Sequence, residues 1–440
     1  MEIELLIVPE WIITVNPENQ VLRHHALAVN NSRVVDILPA SAVEKRYHPR
    51  RTVVLPQHAL LPGLVNTHTH AAMSLLKGLA DDLPLMEWLQ HHIWPAEARW
   101  ANAEFVYDGT QLAIAEMLRS GSTCFNDMYF FPEATAQAAE EAGIRACIGM
   151  IVIDFPTAWG TGPQEYLQKG LALHERLRAN PLLTTALAPH APYTVSDGPM
   201  EQILQLASDL NIPIHMHVHE TAFEVQQAQE QHGMRPLERL ANLGLLDKHF
   251  LAVHMTQLSD SEIGMLTQKG VHVIHCPESN LKLASGFCPA AKLSASGINV
   301  ALGTDGNASN NDLDMLGEMR TAALIAKAVA QDASALPANE ALRMATINGA
   351  RALGLDQEIG SLEIGKAADM IAINLGALES QPLYDPVSHL VYCVGREQVT
   401  HAWVAGKLLL ENRTLTTLDE TALIAKAHEW RQKIGETPHD

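Results

Sequence analysis

Over the first 56 residues, apolar runs at 5–8, 11–15, 26–29 and 34–38 alternate with turn residues such as Asn16-Pro17 and Asn30-Asn31-Ser32. Runs this short, broken by turn formers, predict short antiparallel strands. From Leu60 to about Leu355 the texture changes. Stretches rich in Val, Ile and Ala recur at 61–68, 123–128, 146–153, 184–188, 214–218, 250–254, 272–275 and 300–303. Segments with helical spacing lie between them, including 103–120, 133–142, 199–209 and 259–268. Eight strand-and-helix units in this order predict an α/β chain folded as a parallel (β/α)8 barrel.

After Gly365 strand-like runs return at 369–373, 390–394 and 400–404, and Gly406 marks a turn before 407–410. Their likeness to the N-terminal runs predicts one small β-sandwich domain built from both chain ends. The expected division is 1–56 and 366–440 for that domain and 57–365 for the barrel, with a closing amphipathic helix over 416–434. No internal repeat or low-complexity segment interrupts this plan.

The length of 440 residues suits a barrel of roughly 250–400 residues with one accessory domain. A net charge of −20, from 30 Lys and Arg against 50 Asp and Glu, argues against nucleic-acid partners and leaves a small molecule as the expected ligand. The five cysteines are odd in number and lack a C-x-x-C pair, which argues against a disulfide framework or a thiolate zinc site and fits the reduced cytoplasm. Met1-Glu2-Ile3-Glu4 has no basic region, and no apolar run reaches the roughly 20 residues that span a bilayer, so neither export nor membrane insertion is expected.

Candidate chemistry sits where apolar runs stop. Thr67-His68-Thr69-His70 follows one such run, and residues two apart on a strand share a face, so both imidazoles can reach one ion. A lone H-x-H is common in a chain with 22 histidines and does not establish a site. However, Ile214-His215-Met216-His217-Val218-His219-Glu220 ends an apolar strand in histidines and a carboxylate that need partners if buried. Leu251-Ala252-Val253-His254 and Val300-Ala301-Leu302-Gly303-Thr304-Asp305-Gly306 repeat the design. Taken singly, each reads as a satisfied core histidine or a helix cap. In a (β/α)8 barrel the C-terminal strand ends converge, so together they predict one polar site.

Leu61-Pro62-Gly63-Leu64-Val65-Asn66-Thr67-His68-Thr69-His70, His217 with Glu220 three residues on, His254 and Gly303-Thr304-Asp305-Gly306 resemble the amidohydrolase superfamily. Lys77-Gly78 through Trp88, Pro189-His190-Ala191-Pro192-Tyr193, Ser279 to Gly286 and Ala308-Ser309-Asn310-Asn311 resemble its 5-methylthioadenosine/S-adenosylhomocysteine deaminases. The likeness spans nearly the whole chain, including Gly360 to Asp369.

This resemblance implies a single divalent ion held by His68, His70, His217 and Asp305, with a water whose pKa the ion lowers. Zinc suits three nitrogens and a carboxylate best, and iron or manganese would also bind. Asp305 would double as proton acceptor, and Glu220 would protonate ring N1 and relay protons to the leaving amine. His254 would hydrogen-bond the attacking oxygen, a fourth-ligand role being the competing reading. His190 would contact the substrate, Glu97 the ribose hydroxyls and Trp88 the nucleoside. Without the resemblance Glu97 and Trp88 read as helix surface and core, and His91 and His92 keep that reading.

The implied reaction is hydrolytic deamination at purine C6 to an inosine-type product and ammonia, with no organic cofactor. Where relatives that accept S-adenosylhomocysteine place an arginine, the loop here reads Trp159-Gly160-Thr161-Gly162-Pro163-Gln164. The expected preference is therefore for 5'-methylthioadenosine, with adenosine also in view, unless Arg145 or Arg176 supplies the cation. Guanine or s-triazine deaminases and chlorohydrolases are the rival enzymes, and a non-catalytic assembly barrel is the rival of another class. Oligomeric state stays open, a homo-oligomer included.

Overall fold

The computed structural model describes residues 1–435. Its barrel consists of β1 (Leu64–Thr69), β2 (Ser122–Tyr129), β3 (Arg145–Val152), β4 (Leu183–Pro189), β5 (Ile214–Val218), β6 (Phe250–His254), β7 (His272–His275) and β8 (Val300–Leu302). Each pairs in parallel with its neighbour in chain order. The two ends of the ladder meet through Asp305 N to His68 O at 3.0 Å and Thr67 Oγ1 to Leu302 O at 2.6 Å. That approach requires Gly303, because a Cβ there would lie 2.7 Å from His68 N.

Every residue of β2 and β3 is buried, as expected of parallel strands covered on both faces. Phe125, Ile148, Leu187, Met216 and Phe250 belong to the large core that includes the helices. Cys124, Cys147, Ala186, Leu251, Ile274 and Ala301 form a second, inner cluster. Helices Ala103–Arg119, Pro132–Ala142, Asp197–Leu210 and Asp260–Lys269 lie within two residues of their expected bounds. Sequence-local caps explain the accuracy: Asn102 accepts from Phe105 N, and Ser259 with Glu262 forms a reciprocal capping box.

The second sheet joins Glu2–Ile13, Val21–Arg23, His25–Asn30, Arg33–Pro39 and His48–Pro62 to Met370–Asn374, Val399–Val404, Lys407–Glu411 and Thr414–Leu415. Three expectations change. The runs at 5–8 and 11–15 belong to one strand, Glu2–Ile13, with an irregularity between Pro9 and Trp11 where proline has no N–H to give the ladder. That strand pairs in parallel with His48–Pro62, so the N-terminal part is not wholly antiparallel. Residues 390–394 contribute to a helix, Pro386–Tyr392, rather than a strand. Asp385 accepts from Val387 N and Pro386 occupies the first turn, a start signal stronger than the β-branched content that follows.

The run 61–68 also divides at Gly63, with Leu61 and Pro62 in the second sheet and Leu64 opening β1. A Cβ on Gly63 would approach Thr123 Oγ1 to 1.9 Å, so glycine lets the chain pass from sheet to barrel without a loop. A buried Arg145–Asp369 pair, with bonds of 2.8 and 3.1 Å, ties the two sheets together. The closing helix is Glu420–Gly435, docked through Trp430 Nε1 to Asp108 Oδ2 at 2.8 Å. Among the described residues no helix is long and apolar enough to cross a membrane.

Candidate active site

Four side chains leave the C-terminal ends of β1, β5 and β8 and meet. His68 Nε2 and His70 Nε2 lie 3.1 and 3.3 Å from His217 Nε2, and 3.3 and 3.2 Å from Asp305 Oδ1. A tetrahedral centre with bonds of about 2.0–2.1 Å has edges of about 3.3 Å, so the spacing matches a zinc site. These four residues also form the one cluster of metal-binding side chains found among the described residues.

Hydrogen bonds behind the cluster aim the lone pairs. His70 Nδ1 donates to Met128 O at 2.6 Å and His217 Nδ1 to His190 O at 2.7 Å. A carbonyl only accepts, so in the neutral rings each Nδ1 carries the hydrogen and each Nε2 presents a lone pair to the cluster. His68 Nδ1 lies 2.9 Å from Nε2 of the buried His215. Facing lone pairs at these distances repel unless a cation lies between them, and the donor set fits a divalent ion.

Burial lowers His68 to about 4 and, with the charge of neighbouring imidazoles, takes His217 well below the usual range. Burial would raise Asp305, but hydrogen bonds from the protonated forms of His68 and His70, and the charge of those forms, hold it well below the usual carboxylate range. Oδ1 accepts from Gly306 N at 2.8 Å, and Oδ2 accepts from Ser279 Oγ at 2.6 Å. His219, His254 and Asp305 leave their strands at φ values of 54, 75 and 64°, left-handed conformations that cost of order 1–3 kcal/mol each and concentrate at functional sites.

Glu220 and His254 border the same space, with His254 Nε2 3.8 Å from Glu220 Oε2. Burial raises the Glu220 carboxyl. Behind it, the Glu224 carboxylate accepts from Glu220 N at 2.7 Å and His219 N at 3.0 Å, and burial pushes Glu224 up to about 8. The pocket wall is completed by Trp88, Glu97 and His190 with Leu89, Ile93, Phe130, Ile153, Phe155 and Tyr193. Trp88, Leu89, Ile93 and Glu97 come from one winding segment, Leu85–Trp88, Leu89–Ile93 and Trp94–Trp100, whose middle turn is a π-helix. His190 is lowered to about 3 by burial and by the His70 and His68 charges.

Every site residue expected from the sequence except His68 lines one pocket, His68 lying buried within the ligand cluster at its floor, while His91 and His92 are not part of the lining. Among the described residues the lining includes no lysine or arginine. Arg145 is engaged by Asp369, Arg176 reaches Glu133 O, and Lys169 is held by Trp159 O and Glu165. Sequence reasoning assigned no individual role to His215, Ser279, Asn280, Glu224 or Asp127, the last accepting from Thr69 Oγ1 and Ala71 N at 2.9 and 2.7 Å beside His70. The usable signal was polar side chains within strands that read as buried on both faces, Asn126-Asp127 and His215 above all.

The amidohydrolase family sequence model matches residues 59–409. A 5-methylthioadenosine/S-adenosylhomocysteine deaminase of Saccharophagus degradans is 52% identical over 431 residues, covering 98% of this chain and 97% of the relative. One from Thermodesulfovibrio yellowstonii is 43% identical, with 97% of each covered. The crystal structure of an adenosine deaminase from Xanthomonas campestris with bound zinc superposes with a TM-score of 0.98, 53% identity and 99% of each chain covered. An atrazine chlorohydrolase from Arthrobacter aurescens shares the fold, with a TM-score of 0.89 at 23% identity over 97% of this chain and 99% of that one. With its barrel, its His-His-His-Asp cluster and this full-length likeness, the chain belongs to the amidohydrolase family and is a metal-dependent hydrolase acting on C–N bonds.

Proposed function

We propose that the chain deaminates 6-aminopurine nucleosides, with 5'-methylthioadenosine as preferred substrate. The observation that carries this reading is one pocket lined by His70, His217 and Asp305 of the quartet with Glu220, His254 and Glu97, between apolar walls without lysine or arginine among the described residues. The names of its relatives supply the nucleoside class.

In this reading His68, His70, His217 and Asp305 would hold one ion, and their donor set favours zinc. When bound, the ion supplies the Lewis acidity that brings the pKa of a water towards neutrality. Asp305 Oδ2, which faces Ser279 while Oδ1 faces the imidazoles, would accept a proton from the attacking water. Glu220, kept protonated more readily by burial, donates its proton to ring N1. It then takes up the remaining proton of the oxygen added at C6 and relays it to the departing amine, and the proton held by Asp305 restores Glu220. Oxygen adds at C6 and the C6–N bond breaks, so nucleoside and water give an inosine-type product and ammonia. Trp88 and the apolar wall hold the base and the 5' substituent, and His190 contacts the substrate.

The missing cation sets selectivity. A carboxylate without its charged partner forgoes about 1.5–3 kcal/mol, so kcat/KM is expected to favour 5'-methylthioadenosine over S-adenosylhomocysteine by about 10- to 100-fold. The test is steady-state kinetics of the zinc-loaded protein on both nucleosides and adenosine, with ammonia measured in parallel. A clear advantage for S-adenosylhomocysteine would sink the preference. Inactivity on all three, with ammonia or chloride released from guanine or an s-triazine, would move the assignment to those rivals.

Glu97 adds a pH signature. Burial drives its carboxyl up to about 7, against the pull of Tyr129 and His70. The ionised form accepts from both ribose hydroxyls, whereas the acid loses much of that capacity. KM for the nucleoside should therefore fall as pH rises through about 7. In Glu97→Gln it should be about tenfold higher at alkaline pH and nearly independent of pH. A variant that keeps the parent's KM profile would remove Glu97 from the ribose.

A further inference from the structure

The short helix Pro277–Lys282, which follows β7, brings two adjacent side chains onto two different groups of the site. Ser279 Oγ donates to Asp305 Oδ2 at 2.6 Å, and Asn280 Oδ1 lies 2.9 Å from His254 Nδ1. Both residues are buried, 0% and 2% exposed, and neither lines the pocket. Their backbone is tied at both ends, by Asn280 N to Cys276 O at 3.0 Å, Leu283 N to Ser279 O at 3.0 Å and Ser285 N to Asn280 O at 2.9 Å. A rigid turn therefore spans Asp305 and His254, the two residues found with φ values of 64 and 75°.

We propose that Asn280 is a positioning residue: its Oδ1 accepts the Nδ1 hydrogen of His254 and so selects the tautomer whose Nε2 lone pair faces the reaction. A water between Asp305 Oδ2 and His254 Nε2 then meets an acceptor for each of its two hydrogens and keeps its oxygen lone pairs free. The opposite amide orientation would donate to Nδ1 and leave a hydrogen on Nε2, pointing the wrong way for that water. The proposal rests on the reading that His254 acts on the attacking oxygen.

The test compares Asn280→Leu, Asn280→Asp, His254→Ala and the double variant Asn280→Leu/His254→Ala as zinc-loaded full chains on 5'-methylthioadenosine. Metal content and thermal midpoint are measured alongside. Asn280→Leu is expected to lower kcat about 10- to 100-fold, the usual cost of losing such a supporting bond, with KM and zinc content nearly unchanged. Asn280→Asp, which can accept and cannot donate, should retain most of the activity. In the His254→Ala background the leucine substitution should change kcat by less than about twofold, because a residue acting through His254 has nothing left to position. An equal loss in both backgrounds overturns the proposal, as does an aspartate variant as slow as the leucine one. Full activity of His254→Ala overturns both the proposal and the role of His254 on which it rests.

Discussion

Asp305→Ala is expected to abolish turnover and empty the metal site together. Its carboxylate carries the negative charge of the ligand quartet, with Oδ1 3.3 and 3.2 Å from His68 and His70 Nε2. Alanine leaves three neutral imidazoles to hold a divalent cation, and it also removes the proton acceptor. The fall in kcat at saturating zinc should therefore exceed the roughly 10²–10⁴-fold of a lost acid–base group alone. Elemental analysis after dialysis should give well under one zinc per chain, and added zinc should no longer raise the thermal midpoint as it does for the parent. A variant that retained a tightly bound ion would show that Asp305 is not a ligand.

The second large effect separates proton transfer from metal binding. Glu220 is 7% exposed, lies outside the quartet and is anchored through its backbone to Glu224. Glu220→Gln keeps shape and polarity and cannot cycle a proton. Its kcat is expected to fall by about 10²–10⁴-fold, with zinc content and thermal midpoint close to those of the parent. Steady-state kinetics beside metal analysis distinguishes the two variants. If the glutamine variant kept kcat within about tenfold of the parent, the proton relay would have to lie elsewhere.

Much of this arrangement was legible along the chain because the relevant patterns are local. Apolar strands buried on both faces and helices with their own caps occupy contiguous stretches, so β5, β6 and β7 carry the expected bounds. His68, His70, His217 and Asp305 stood out because each breaks an apolar pattern at its end. Residues 390–394 misled because their β-branched content competes with a cap that begins five residues earlier at Asp385. The parallel pairing of Glu2–Ile13 with His48–Pro62 was hidden for another reason: alternation reports which face is buried and says nothing of the partner's direction. His215 and Asn280, though they fall within the quoted motifs, were given no role because their partners lie 147 and 26 residues away.

The sequence by itself determined the eight-unit barrel and the strand ends that bear polar groups, since period and burial are properties of neighbouring residues, while the choice of His68, His70, His217 and Asp305 among those groups came from the family resemblance. Tertiary structure decided the rest. Closure of β8 on β1 through Gly303 sets the 3.1–3.3 Å spacing of the ligand atoms. Distant carbonyls choose the tautomers of His70 and His217, and Arg145, at the opposite end of β3 from the site, pairs with Asp369, while the pocket lining contains no lysine or arginine among the described residues. Each of these is a distance between groups far apart in the chain, and such distances exist only once the barrel has closed.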